Sequence, residues 1–111
     1  MFHAQLPQVD AAAVPADAFL LDVREHDEWA AGHADGALHI PMGEVVARWS
    51  AEVPADQRVH VMCRVGGRSA QVTQYLIAQG VDAINIDGGM LGWEAAGRPV
   101  VADGGADAYV L

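Results

Sequence analysis

Cys63, the only cysteine in the chain, ends a short apolar run, Val59-His60-Val61-Met62, and is followed by Arg64, Val65, Gly66, Gly67 and Arg68 before Ser69 opens a helical pattern. An apolar run that feeds a glycine-bearing loop and then a helix aims several backbone N–H groups and the positive end of a helix dipole at one point. A thiol at that point ionises more readily than a free cysteine, whose pKa is about 8.5, and flanking arginines act in the same direction. The stretch reads as a nucleophile in an anion-binding cradle. A lone cysteine is otherwise most often a small buried hydrophobe. That alternative leaves two glycines and two arginines close behind Cys63 unexplained, because arginines need solvent or a partner and glycines contribute no packing.

Length and composition bound what such a site can serve. The 111 residues make a single domain, and with 52% hydrophobic residues the chain is expected to fold on packing alone. One cysteine permits no internal bridge, so nothing points to an oxidising compartment. No apolar run approaches the ~18 residues of a membrane span. Met1 to Pro7 lacks the basic start and apolar stretch of a secretory signal, and a cytoplasmic location is expected. The net charge of -9, with six arginines, no lysine and fifteen acidic residues, disfavours nucleic acid and anionic membrane as partners. Two of the six cations, Arg64 and Arg68, nevertheless flank the cysteine, so a small anion is the expected visitor.

Several elements must position that loop. Val9 reads as a short edge strand, with Asp10 as a candidate N-cap before Ala11-Ala12-Ala13 and Pro15 ending the turn. Phe19-Leu20-Leu21-Asp22-Val23 has the near-continuous apolar pattern of a strand buried on both faces of a parallel sheet. Arg24 to Ala31 has helical composition and is ended by Gly32. Ala37-Leu38-His39-Ile40 is a strand candidate stopped by Pro41, and Gly43 to Trp49 forms a helix with Val45, Val46 and Trp49 on its apolar side. After the cysteine loop, Val72, Tyr75 and Leu76 recur at helical spacing from Ser69 until Gly80. Ala83-Ile84-Asn85-Ile86 is the next strand, and Asp87-Gly88-Gly89 turns the chain into a helix from Met90 to Ala96. Strands alternating with helices predict right-handed crossovers and a parallel sheet covered on both faces. Ligands of such folds bind beyond the carboxyl ends of the strands, where Asp22, Cys63 and Asp87 fall.

From about Val9 to Val100 the sequence resembles a single-domain rhodanese. Three separated motifs carry the resemblance. The first is Leu20-Leu21-Asp22-Val23-Arg24, continuing through Glu28-Trp29 and Gly32-His33 to Gly36-Ala37-Leu38-His39-Ile40-Pro41; the second is Cys63-Arg64-Val65-Gly66-Gly67-Arg68-Ser69; the third is Asp87-Gly88-Gly89 with Trp93, Gly97 and Pro99-Val100. The resemblance implies a three-layer α/β/α domain over residues 1–100 with a parallel sheet of about five strands, leaving 101–111 as a tail without a usable pattern. It also implies a sulfurtransferase. Cys63 would take a sulfane sulfur from thiosulfate or a similar donor as a persulfide, and pass it to cyanide or an external thiol acceptor. The loop Arg64, Val65, Gly66, Gly67, Arg68 and Ser69 would cradle the donor, with Arg64 or Arg68 meeting its charge, and no cofactor or metal is required.

Two other readings compete. Related phosphatases and arsenate reductases use a longer Cys-x5-Arg loop around a tetrahedral oxyanion, whereas Cys63 and Arg68 have four residues between them; the shorter loop favours sulfur. A non-catalytic interaction module of the same fold often lacks the cysteine, which is present here. Asp22 and Arg24 are expected to form a supporting charge pair below the loop, since a carboxylate beside a thiolate would oppose its ionisation. His33 and His39 read as structural, because a thiol ionised by its loop needs no base.

Overall fold

The computed structural model describes residues 6–111, so the expectation drawn from Met1 to Pro7 falls largely on residues 1–5, outside the described residues. Five strands form the main sheet: β1 (Gln8–Asp10), β2 (Phe19–Asp22), β4 (Leu38–His39), β5 (Val59–Met62) and β6 (Ala83–Asp87), in the order β1-β6-β5-β2-β4. All four pairings are parallel, with Leu21 opposite Val61 and Val61 opposite Asn85 in register. The parallel sheet of five strands that the sequence implied is therefore present, with the strand leading to Cys63 at its centre.

Alternation along the interior strands sends side chains into two cores. Leu21, Val59 and Val61 join Ile40, Val45, Val72 and Leu76 on one side, against α2 (Val45–Glu52) and α3 (Gly67–Ala78). Leu20, Met62 and Ile86 join Ala11, Val14, Met90 and Trp93 on the other, under the 3-10 turn Ala11–Ala13 and α4 (Gly89–Ala95). A strand apolar on both faces is what a sheet between two helical layers requires. α1 (His26–Ala31) follows β2 at the carboxyl end of the sheet.

Three local features differ from the sequence reading. Val46 is 69% exposed, although it was expected on the apolar side of its helix. Val45, Trp49 and Val53, at spacings of four, face the core from α2, which follows the 3-10 turn Met42–Glu44, and Val46 lies about 100° round from them, off this narrow stripe. α3 begins two residues before Ser69, because Gly66 at φ +116° caps the helix in a conformation open to glycine. Asp10 occupies the N-cap position but its side chain makes no capping hydrogen bond.

Gly32 does end α1, as its C-cap, but not in a left-handed conformation. Its backbone is extended, at φ 170° and ψ 141°. The reason for glycine is instead the segment after residue 100, which returns across this point. β3 (His33–Ala34) pairs antiparallel with β7 (Val100–Val101), a small second sheet that the sequence pattern did not announce. Further on, the Tyr109 N–H donates to the Ala31 carbonyl oxygen at 3.0 Å. Val110 packs against the second core. A Cβ at residue 32 would lie 2.8 Å from the Tyr109 nitrogen, closer than packed atoms tolerate. Gly32→Ala should therefore lower stability by about 1–3 kcal/mol in thermal denaturation. An unchanged midpoint would show that the returning segment does not pack there.

Candidate active site

β5 delivers Cys63 to the carboxyl edge of the sheet, and the loop from Arg64 to Gly66 curls back over it before α3 begins at Gly67. The Cys63 side chain is buried, at 1% exposure, yet its sulfur faces the loop. The Gly66 N–H donates to Cys63 Sγ at 3.1 Å and the Ser69 hydroxyl donates to it at 3.3 Å. Burial by itself raises the thiol pKa; the Ser69 hydroxyl and the N–H groups of Ser69, Gly66 and Val65 outweigh it, and the net direction is down. Cys63 therefore ionises more readily than a free thiol, with hydrogen-bond donors on its loop side, features of a reactive cysteine's microenvironment.

The carbonyl groups of the cysteine loop need partners of their own. The first turn of α4 provides two: Met90 N–H donates to the Cys63 carbonyl oxygen at 2.8 Å and Leu91 N–H to that of Arg64 at 3.1 Å. Asn85 Nδ2 donates to the Gly66 carbonyl oxygen at 3.2 Å. So close an approach requires Gly89, at φ +53°, where a Cβ would stand 2.7 Å from the Arg64 oxygen. The Asp87-Gly88-Gly89 motif thus anchors the back of the cysteine loop.

The two loop arginines are both engaged. Arg68 donates from Nη1 to Glu28 Oε1 at 2.7 Å and from Nη2 to Oε2 at 2.9 Å, a bidentate pair between α3 and α1. Arg68 holds the Glu28 carboxyl at a pKa of about 2, well below its ordinary 4.5. Arg64 Nε donates to the Leu111 main-chain oxygen at 3.1 Å. Val65 at the loop tip is exposed, and Ser69 is fully buried beneath it.

Below the loop, Asp22 and Arg24 form a wholly buried ion pair at 2.8 Å, and the same Nη2 donates to the Gly32 carbonyl oxygen at 2.8 Å. Removing one partner would strand a buried charge, at a cost of about 3–5 kcal/mol. His39 Nε2–H donates to the Arg24 carbonyl oxygen at 2.7 Å and His33 Nδ1–H to that of Trp29 at 2.8 Å. Both imidazoles stack on Trp29, at centroid distances of 3.5 Å for His33 and 4.7 Å for His39. Neither histidine is paired with the sulfur in the described hydrogen bonds. Among the described residues no group of three or more His, Cys, Asp or Glu side chains is placed to hold a metal ion.

Two contributors escaped the sequence reading, Glu28 as the partner of Arg68 and Asn85 as a loop anchor; the Asp87-Gly88-Gly89 turn was legible, but not its backbone contact with the cysteine loop. Asn85 carried a usable signal, a lone amide in the apolar run Ala83-Ile84-Asn85-Ile86.

A parallel α/β sheet whose central strand leads to a cysteine enclosed by a loop of hydrogen-bond donors is an arrangement suited to thiol chemistry. The sequence pattern of the Rhodanese-like domain matches residues 7–96, and the chain belongs to that family. A protein named sulfurtransferase from Allochromatium vinosum is 40% identical over 90 residues, covering 80% of this chain and 83% of its own. Among solved structures, a rhodanese-related protein from Thermoplasma volcanium superposes with a TM-score of 0.82 at 29% identity, over 87% of this chain and 99% of that one. A thiosulfate sulfurtransferase from Pseudomonas aeruginosa matches with a TM-score of 0.76 at 28% identity, over 93% of this chain but 21% of its own length.

Because a thiolate reacts and a thiol does not, the alkylation rate of Cys63 should rise with pH and level off below the range of a free cysteine. Ser69→Ala removes one donor to the charged form and should move that profile up by roughly one pH unit. An unmoved profile would remove Ser69 from the cradle.

Proposed function

We propose that the chain is a sulfurtransferase that carries a sulfane sulfur on Cys63. The single observation that carries this reading is the geometry at the sulfur: Sγ accepts hydrogen bonds from Gly66 N–H and the Ser69 hydroxyl. The same donors can receive a second sulfur that bears the negative charge. In the first half-reaction the Cys63 thiolate attacks the outer sulfur of a donor such as thiosulfate. A new S–S bond forms on Cys63, the donor's own S–S bond breaks, and its electron pair leaves on sulfite. The persulfide left behind is an anion, and the loop amides of Val65, Gly66 and Ser69 stabilise it without reorganising.

In the second half-reaction cyanide or a thiolate attacks the outer sulfur and Cys63 leaves as thiolate. The acceptor must come from outside, since the chain has no second cysteine to resolve the persulfide. The names of relatives support sulfur transfer as the reaction. The four-residue spacing between Cys63 and Arg68 favours it over hydrolysis of a phosphate monoester. A reducing compartment such as the cytoplasm suits a lone reactive thiol, and the acidic surface favours no nucleic acid or anionic membrane as partner.

Mass spectrometry after treatment with a sulfane donor should find one added sulfur on Cys63. Cys63→Ser should abolish both that addition and turnover while leaving the thermal midpoint within a few degrees. Persistent turnover in the variant would defeat the assignment. Failure of Cys63 to gain sulfur from any sulfane donor would make the domain a binding module instead.

A further inference from the structure

The sequence places two arginines beside the nucleophile, yet the structure leaves little of their charge for a substrate. Arg68 gives both terminal nitrogens to Glu28, at 2.7 and 2.9 Å, and the Glu28 side chain is only 13% exposed. Glu28 Oε1 also accepts the Glu25 N–H at 3.0 Å, closing a capping box at the start of α1. The carboxylate is thus fixed on three donors in a partly dry position, where a neutralised cation stays neutralised. Arg64 is exposed and turned toward the Leu111 oxygen. Arg64 uses only its Nε there and keeps its charge, on an exposed side chain where solvent screens it; within the loop itself the attraction for an anion comes from amide dipoles, in a protein of net charge -9.

Resting on the sulfurtransferase reading, we propose that Glu28 is a positioning residue that sets the charge of the donor this site accepts: by holding Arg68 it withdraws a full cation from the cradle and favours sulfane donors with one negative charge over dianions. Amide donors suffice for the single charge of a persulfide or thiosulfonate. A dianion brings a second charge that only a free guanidinium would match. The lowered pKa of Glu28 agrees with this, since the carboxylate stays ionised at any working pH, and Arg68 is close enough for its charge to interact with that of Cys63.

Thiosulfate and methanethiosulfonate present the same sulfane sulfur on a sulfonyl group but carry two charges and one. Attack by Cys63 transfers that sulfur in both cases, breaking the S–S bond and releasing sulfite or methanesulfinate with the electron pair. Steady-state KM and kcat for the two donors, with cyanide as acceptor, give the test. Glu28→Gln frees Arg68 and should lower the KM for thiosulfate by about fivefold or more, with less than about a twofold change for methanethiosulfonate. The double variant Glu28→Gln with Arg68→Gln keeps the pair neutral and should return the ratio of the two KM values to within about twofold of the unmodified protein.

A residue that only caps α1 would move both donors together, and that outcome overturns the proposal. A rise in the thiosulfate KM alone in the double variant overturns it too, because Arg68 would then be touching the donor; this comparison stands even where the single variant fails to fold. Absence of sulfur on Cys63 from both donors would bring down the sulfurtransferase reading and this proposal with it, whereas normal transfer with an unmoved ratio brings down this proposal alone.

Discussion

The geometry of the loop depends on one constraint: its peptide units cannot face both ways. The Val65 N–H, which eases the ionisation of Cys63, shares its peptide unit with the Arg64 carbonyl group, which therefore points away from the sulfur and, with the neighbouring Cys63 and Gly66 carbonyl groups, needs donors. α4 and Asn85 provide them. The third motif of the family, far from the cysteine in sequence, is thereby the outer half of the same cradle. Gly89 is glycine because the backbones of residues 63, 64 and 89 meet with no room for a side chain.

This constraint also explains how a fully buried thiol remains a chemical group. Burial of a charge in an apolar core is strongly unfavourable and would hold the proton on sulfur. Here Cys63 packs with the first core on one side and meets hydrogen-bond donors on the other, and the donors decide the direction. Charge plays a smaller part than the sequence suggested. Arg24 is locked to Asp22 and Arg68 to Glu28, while Arg64 is exposed and bonds the Leu111 oxygen. Both pairs brace α1 and the strand ends around the loop.

Much of the fold was legible because its signals are local. Phe19–Asp22, Val59–Met62 and Ala83–Asp87 are apolar runs bounded by breakers, and they are the interior strands; the cysteine loop was legible from residue types alone. What escaped depends on contacts between distant residues. Glu28 and Arg68 are 40 positions apart, and although Glu28 belongs to the first motif, nothing in that motif names its partner. Gly32 is the helix stop it was read as, but the further reason for glycine, the Tyr109 backbone passing over it, lies far along the chain. β3 and β7 are two residues each, too short to leave a periodic trace. Val46 was misplaced because the core-facing stripe of α2 runs narrowly through Val45, Trp49 and Val53, and an apolar residue next to such a stripe looks like part of it in sequence.

The direct test of the central claim is to follow the backbone amide resonances of Val65, Gly66 and Ser69 as pH is raised, in the unmodified protein and in Cys63→Ser. If these amides hold the thiolate, all three should titrate together with one midpoint below the ordinary cysteine value, and the transition should vanish in the variant. Amides that stay flat through the ionisation of Cys63, or a midpoint at or above that of a free thiol, would contradict the account.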